Sequence, residues 1–317
     1  MAGMWQERQA GLLLEEIERL LASVSVVPEL HAILEEASGN SAPPRRDEQA
    51  YRRLWTLLPL IVCEEISGQF EAALPVAASI VLFKSAAEVF DDIEDADSSE
   101  SLSSRHGVAM ATNAATTLLV LAEKALAGLA TNGVRDCSVA RVVDTANSYY
   151  AAACAGQHLD LSRRSDISIS EETYLGIATM KSASHLECVC CLGAIVGGAD
   201  ESEVKLYSEF GRNLGIAAQI ANDIQGVSTG VDILNRKVTL PVINALGLEE
   251  GSETLSAWYG GNKTENYAGA IKDLLFRLGA VYYAVVKAEF YRRRARDVLD
   301  KVMPRGEIGA RLKMFVE

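Results

Sequence analysis

The sequence predicts an all-α protein, and three observations carry that expectation. Apolar residues recur with the 3.6-residue helical period almost throughout, and alternating apolar and polar runs bounded by turns do not occur. The composition, 49% hydrophobic with 24 Gly and only 7 Pro, belongs to a helical globule and excludes a disordered chain. The 317 residues can bury a sizeable core as one large domain or two ordinary ones. No stretch is long enough for an interdomain linker, so one domain over 1–317, with peripheral helices in 1–45, is the simplest organisation.

Helices are expected, in order, at 4–24, 28–38, 47–67, 74–97, 106–130, 135–164, 170–198, 201–227, 239–246, 266–302 and 306–316. The first, MAGMWQERQAGLLLEEIERLL, is amphipathic and carries its own charges, so it does not read as a signal peptide. Breaks fall at SGNSAPP, SSESLSS, TNG, GGAD and GLEEGS, where Gly, Pro, Ser, Asn and Asp punctuate the helical pattern. Ser168 with Glu171, and Asp200 with Glu203, have capping-box spacing ahead of apolar runs and are expected to start two helices.

A net charge of −13 and a pI near 4.9 work against nucleic acid or an anionic membrane surface as partner. The longest uncharged run, HGVAMATNAATTLLVLA, is 17 residues and diluted by Thr and Asn, short of a spanning helix. No integral membrane segment is expected, and cytoplasmic residence is the default. The 6 cysteines lie in apolar helical patterns, and ECVCC lacks the C-x-x-C pairing of zinc sites, so free packed thiols are expected.

Four carboxylates crowd into DDIED at 91–95, where like charges at i and i+4 repel. Asp91 and Asp95 share one helix face, with carboxylates about 5–6 Å apart, a spacing that suits hard cations. A solvated acidic helix end is the alternative; the apolar run before it, including Ala86, Ala87 and Phe90, argues for a site. A second oxygen-rich face appears in QIANDIQGVSTGVDILNRKVTLP, with Gln219, Asn222 and Asp223 at i, i+3 and i+4, followed by Asp232 and Lys237. Oxygen ligands suit Mg²⁺ and a lysine suits a phosphate oxygen; two such faces turned toward each other would make a metal cage. Between them, Gln157 and Asp160 share a face in GQHLD, and Lys181 sits on an otherwise apolar helix, where a lone lysine commonly snorkels to water.

In this order the elements resemble the trans-isoprenyl diphosphate synthase superfamily. The resemblance runs from about residue 50 to 246: DDIED as first aspartate-rich motif, GQHLD, MKS for Lys-Thr, LGIAAQIANDIQG for the second motif, and RKVTLP. It implies a class I bundle of antiparallel helices around a deep pocket, ionisation of an allylic prenyl diphosphate of ten to twenty carbons, and three Mg²⁺ ions stabilising the leaving charge. By that resemblance Asp91, Asp92 and Asp95 form the first metal motif, with Asp91 and Asp95 holding two ions. Asp223, with Asn222, serves the third. Lys181, Gln219, Lys237 and Gln157 position the diphosphate. Ala86, Ala87, Phe90, Gln157 and Asp160 line the pocket, the two alanines leaving room for a long chain. A homodimer through apolar helix faces is also implied.

Departures shape the expected activity. At the register of the motif that binds isopentenyl diphosphate the chain reads YRRLWT, keeping Arg52 and Arg53 but placing Trp55 where a later arginine belongs. SSESLSSRHG lacks the double arginine, Lys84 replaces a histidine, and NDIQG stands for Asp-Asp-x-x-Asp. With the allylic half kept and the second diphosphate site damaged, the pattern looks most like peptide-pheromone prenyltransferases of the ComQ type or related terpene synthases. Transfer to an acceptor other than, or besides, isopentenyl diphosphate is therefore the leading expectation. Cyclisation or hydrolysis, ordinary chain elongation and a non-catalytic subunit are the alternatives. Tyr149, Tyr150, Tyr174 and Phe83 read chiefly as core, and Arg292–Arg294 as a solvated face or as a basic patch closing over the diphosphate.

Overall fold

The computed structural model describes residues 2–39, 48–95, 101–163, 165–261, 268–302, 304 and 306–317; side chains at 2–4, 48–53, 95 and 137 lie outside the description. Helix accounts for 86%, with no strand among the described residues, as the periodicity predicts. The helices are α1 Ala2–Leu21, α2 Pro28–Ala37, α3 Glu48–Ser67, α4 Leu74–Asp95, α5 Leu102–His106, α6 Val108–Ala127, α7 Asp136–Arg163 and α8 Glu171–Ala178. They continue with α9 Ser184–Gly197, α10 Glu201–Thr229, α11 Val231–Leu234, α12 Leu240–Leu246, α13 Glu249–Tyr259, α14 Ala268–Arg277, α15 Ala280–Val302 and α16 Gly306–Lys313. Between α8 and α9 the helix does not stop: Thr179–Ala183 runs as a π segment.

Contacts gather the chain into two compact units. The first comprises Met1–Ala146, Val189–Val204 and Pro304–Leu312. Its core sets α4 against α6, with Val76, Ala77, Ile80 and Leu82 of α4 buried and Ala114, Ala115, Leu118 and Leu121 of α6 buried. The helix α1, which the sequence places at the periphery, buries Leu13, Ile17, Leu20 and Leu21. By length and composition alone Glu71–Glu94 and Val108–Asn132 are apolar enough to cross a membrane, the second containing most of the uncharged run. The first has 67% of its most apolar window buried in the protein, the burial expected of a core helix.

The second unit comprises Asn147–Cys188, Lys205–Met303 and Lys313–Glu317. One of its cores joins Tyr174, Ala178 and Ala183 to Ile216 and Ile220 of α10, Leu240 of α12, and Ala284 and Ala288 of α15. Another gathers Val227, Ile233, Val242, Leu255, Trp258, Ile271 and Leu275.

Several expected boundaries shift. GLEEGS is not a loop, because Gly247 ends α12 and α13 begins at Glu249. The long helix expected over 266–302 breaks at Gly279, whose φ of +74° is open to glycine and disfavoured for other residues. Asp200 caps α10 as expected: its Oδ1 accepts from Glu203 N at 2.9 Å, and Asp200 N donates to Glu203 Oε2 at 3.1 Å. The cap of α8 is Ser170 rather than Ser168, with Ser170 Oγ accepting from Thr173 N at 3.1 Å. Glu171 is thereby released to meet Lys287 and Tyr283 on α15. Cys188, Cys190 and Cys191 are buried and outside any disulfide, and Cys154, also outside any disulfide, is exposed.

Candidate functional site

In the first unit, the apolar α4 ends on the acidic turn. Asp91 and Asp92 are half-buried there, and Asp95 closes the helix one turn on; its side chain, like those of Arg52 and Arg53, lies outside the described residues. Ala86 is buried, Ala87 exposed and Phe90 half-buried, so of the expected lining residues Ala86 packs inward. Lys84 is paired with Glu88 one turn along. Beyond α4, Arg105 Nη2 and His106 Nε2 of α5 both reach Glu36 of α2, at 2.6 and 2.7 Å.

In the second unit, four predicted residues come together around the π segment. A π turn holds one more residue than an α turn, and such bulges recur at functional sites. Here it carries Lys181, whose Nζ donates to Asp160 Oδ2 of α7 at 2.6 Å. The next residue, Ser182, donates from Oγ to Gln219 Oε1 at 2.5 Å, and Gln219 Nε2 donates to Asp223 Oδ1 at 2.8 Å. Gln157, half-buried, lies one turn before Asp160. Backbones approach closely on both sides: a Cβ on Gly156 would stand 2.3 Å from Lys181 N, and one on Gly215 2.5 Å from Ala183 Cα. Side chains at 156 and 215 are therefore excluded by the packing that holds the π segment.

Asp223, expected to serve the third ion, is a buried carboxylate. It is 4% exposed, and its Oδ2 accepts from Tyr174 OH at 2.5 Å and from Leu240 N at 3.2 Å. Burial pushes its pKa up to about 6, outweighing the hydrogen bonds from Tyr174, Leu240 and Gln219 that lower it; the nearby Asp232 adds repulsion. Burial also raises the Tyr174 hydroxyl well above its ordinary value, reinforced by Asp223. Three protein donors thus meet the Asp223 carboxylate, one on Oδ1 and two on Oδ2, which ties it to α8, α10 and α12. Asn222 beside it is exposed.

Lys237 follows α11, its N–H donating to Asp232 O at 2.9 Å and its carbonyl accepting from Tyr259 OH at 3.0 Å. Arg236 between them has φ 55°, a left-handed conformation costing a non-glycine residue about 1–3 kcal/mol, and its guanidinium lies 5.6 Å from the Trp258 ring centroid. On α15, Arg292 Nη1 is tied to Glu289 at 3.1 Å, while Arg293 and Arg294 are exposed.

Tyr174 reads as packing in the sequence, and nothing there marks Ser182 as a hydrogen-bond donor to Gln219. Tyr174 lies seven residues before Lys181, two helical turns, and so on the same side; that spacing was its only signal. A network around the buried Glu187 has no signal in the sequence either: Glu187 accepts from Tyr149 OH at 3.0 Å, Ser208 Oγ at 2.7 Å, and Arg212 Nε and Nη2 at 2.8 and 2.5 Å. Glu187 on α9 and its partners on α7 and α10 are brought together by no linear pattern.

A family model described as polyprenyl synthetase matches residues 49–275. The chain is 28% identical to a geranylgeranyl diphosphate synthase of Sulfolobus acidocaldarius, over 84% of this chain and 85% of that protein. It is 30% identical to a short chain isoprenyl diphosphate synthase of Methanothermobacter thermautotrophicus, over 77% and 78% respectively. A solved geranylgeranyl pyrophosphate synthetase from Geoglobus acetivorans superposes with a TM-score of 0.84 at 27% identity, covering 98% of this chain and 99% of that one.

Proposed function

The chain belongs to the polyprenyl synthetase family, has its class I isoprenoid synthase fold and is a prenyltransferase, and from that premise we propose that it elongates an allylic prenyl diphosphate with isopentenyl diphosphate. The carrying observation is that the relatives above, matched along most of their length, are named as synthases of isoprenyl diphosphates. Chain elongation, an alternative on sequence grounds, thus has better support than transfer to a different acceptor, and no relative described above is a pheromone transferase.

Enzymes of this family are generally Mg²⁺-dependent. Asp91, Asp92 and Asp95, hard oxygen ligands by type within about one turn at the end of α4, are proposed to hold such an ion. Bound there, the metal would supply Lewis-acid stabilisation of the diphosphate as its bond to the prenyl carbon breaks. The Lys181 ammonium, held by Asp160 on the π segment, is proposed to meet a diphosphate oxygen, with Lys237 as a second cation and Gln219 orienting Ser182. Arg52 and Arg53 are assigned to the second diphosphate. Three ions, a single domain over 1–317 and a homodimer complete the proposal.

A second reading, transfer to another acceptor, draws on α5. Arg105 there is ion-paired with Glu36, and His106 Nε2 lies 2.7 Å from the same carboxylate, which leaves both poorly placed to receive a second diphosphate. One assay separates the two: incubation with Mg²⁺ and geranyl, farnesyl or geranylgeranyl diphosphate, with and without isopentenyl diphosphate, and products read by mass spectrometry. Longer diphosphates formed only with both substrates are the expected result. Diphosphate release with isopentenyl diphosphate absent, giving hydrocarbons or alcohols, would overturn elongation.

A further inference from the structure

The exposed end of α10 carries less charge than its sequence implies. Asp223 is buried with both oxygens engaged, Asn222 and Gln225 are neutral, and position 226, one turn after Asn222 on the same face, is glycine. A Cβ placed on Gly226 would stand 1.9 Å from Asp232 Oδ2, 2.3 Å from Asp232 Cγ and 2.8 Å from Oδ1. The Asp232 carboxylate therefore fills the space in which a side chain of residue 226 would begin. Local geometry brings it there: Gly230, at φ 85°, turns the chain out of α10, and Arg236, at φ 55°, turns it again after α11. The hydrogen bond from Lys237 N to Asp232 O closes the loop.

We propose that Asp232, rather than Asp223, supplies the carboxylate of the second oxygen-rich face, acting with Asn222 toward a divalent cation that accompanies the substrate diphosphate. Neighbours at i and i+4 on a helix stand about 5–6 Å apart, so a carboxylate over Gly226 reaches the same locality as the Asn222 amide. One carboxylate is enough, because Mg²⁺ commonly takes one or two from the protein and completes its octahedron with substrate phosphate and water. Asp223 then has a positioning role, tying α10 to Tyr174 and to the start of α12.

The inference rests on the metal-dependent reading above, and Mn²⁺ binding measured by electron paramagnetic resonance, with inorganic diphosphate present, tests both separately. Asp232→Asn is expected to weaken Mn²⁺ binding about tenfold while the melting temperature of the metal-free protein stays near wild type. The double variant Gly226→Asp, Asp232→Ala, which moves the carboxylate onto α10 itself, is expected to recover most of the affinity. Wild-type affinity in Asp232→Asn would overturn the role of Asp232 and leave the metal-dependent reading standing. Asp232→Asn alone decides the matter if the double variant does not fold. Diphosphate-dependent Mn²⁺ binding absent from the wild type itself would overturn both.

Discussion

Tyr174 donates to Asp223 where neither group meets bulk water, so deleting the hydroxyl strands one lone pair of a buried carboxylate. Leaving a buried polar group unpaired costs about 1–3 kcal/mol, and Tyr174→Phe is expected to lose that much in urea unfolding at neutral pH. No change would mean that the pair contributes nothing net. Asp91 is the opposite case, half-buried at a helix end, and Asp91→Ala is expected to cut Mg²⁺-dependent turnover about 10²-fold or more with little change in melting temperature. The two aspartates looked alike in the sequence, each ending an apolar helix. What separated them was burial by Tyr174 and Leu240, residues distant along the chain. Asp160 and Gln219 were legible because helical spacing fixed their faces, and Lys181 through the family resemblance; Asp232 was visible only as a carboxylate following the second face, and Tyr174 only as packing, because where they stand depends on contacts between helices and on a turn.

The unbroken run α8, π segment and α9 positions Lys181, and close contact with α7 and α10 holds it. Gly156→Val would drive a branched side chain into the Lys181 backbone, a clash expected to cost about 1–3 kcal/mol. A raised KM for the allylic diphosphate should accompany it; an unchanged KM would separate the packing from the role of Lys181. At the start of α8, burial raises the Glu171 pKa, but hydrogen bonds from Lys287 and Tyr283 outweigh it and leave the carboxyl below its ordinary 4.5. A depressed carboxyl contributes stability above its unfolded pKa and loses it as pH falls through the folded value. The tie from α8 to α15 should therefore loosen below about pH 4.5, and Glu171→Gln should flatten that part of the acid unfolding curve. With both partners about a third exposed, the effect is expected to stay within about 1 kcal/mol. Helix starts and stops were readable wherever a side chain capped them locally, as at Asp200. The π segment and the break at Gly279 were not, since the apolar period continues through both.

The fold class was legible because a helical period without alternation leaves few other ways to bury so much Ala, Leu and Val. The catalytic outcome was less so, because motif departures show what is lost from a site and not what replaces it; here Asp232 fills a space that Gly226 leaves. The C-terminal segment is expected to matter well beyond its size. Arg311 pairs with Glu64 at 2.8 Å and lies 4.5 Å from the Trp5 ring centroid, while Leu312, Phe315 and Val316 are buried. Three such side chains are worth about 5–9 kcal/mol, so a chain ending at residue 303 should melt far below the full chain in calorimetry; equal melting temperatures would refute this. The path of the backbone explains why so short a tail reaches so far. The chain passes between its two units five times, after residues 146, 188, 204, 303 and 312. Neither unit is thus a contiguous stretch of gene, and no single crossover between relatives can exchange one whole. Recombination can inherit these halves only together, and a protease nick in any one connection leaves four others still joining them.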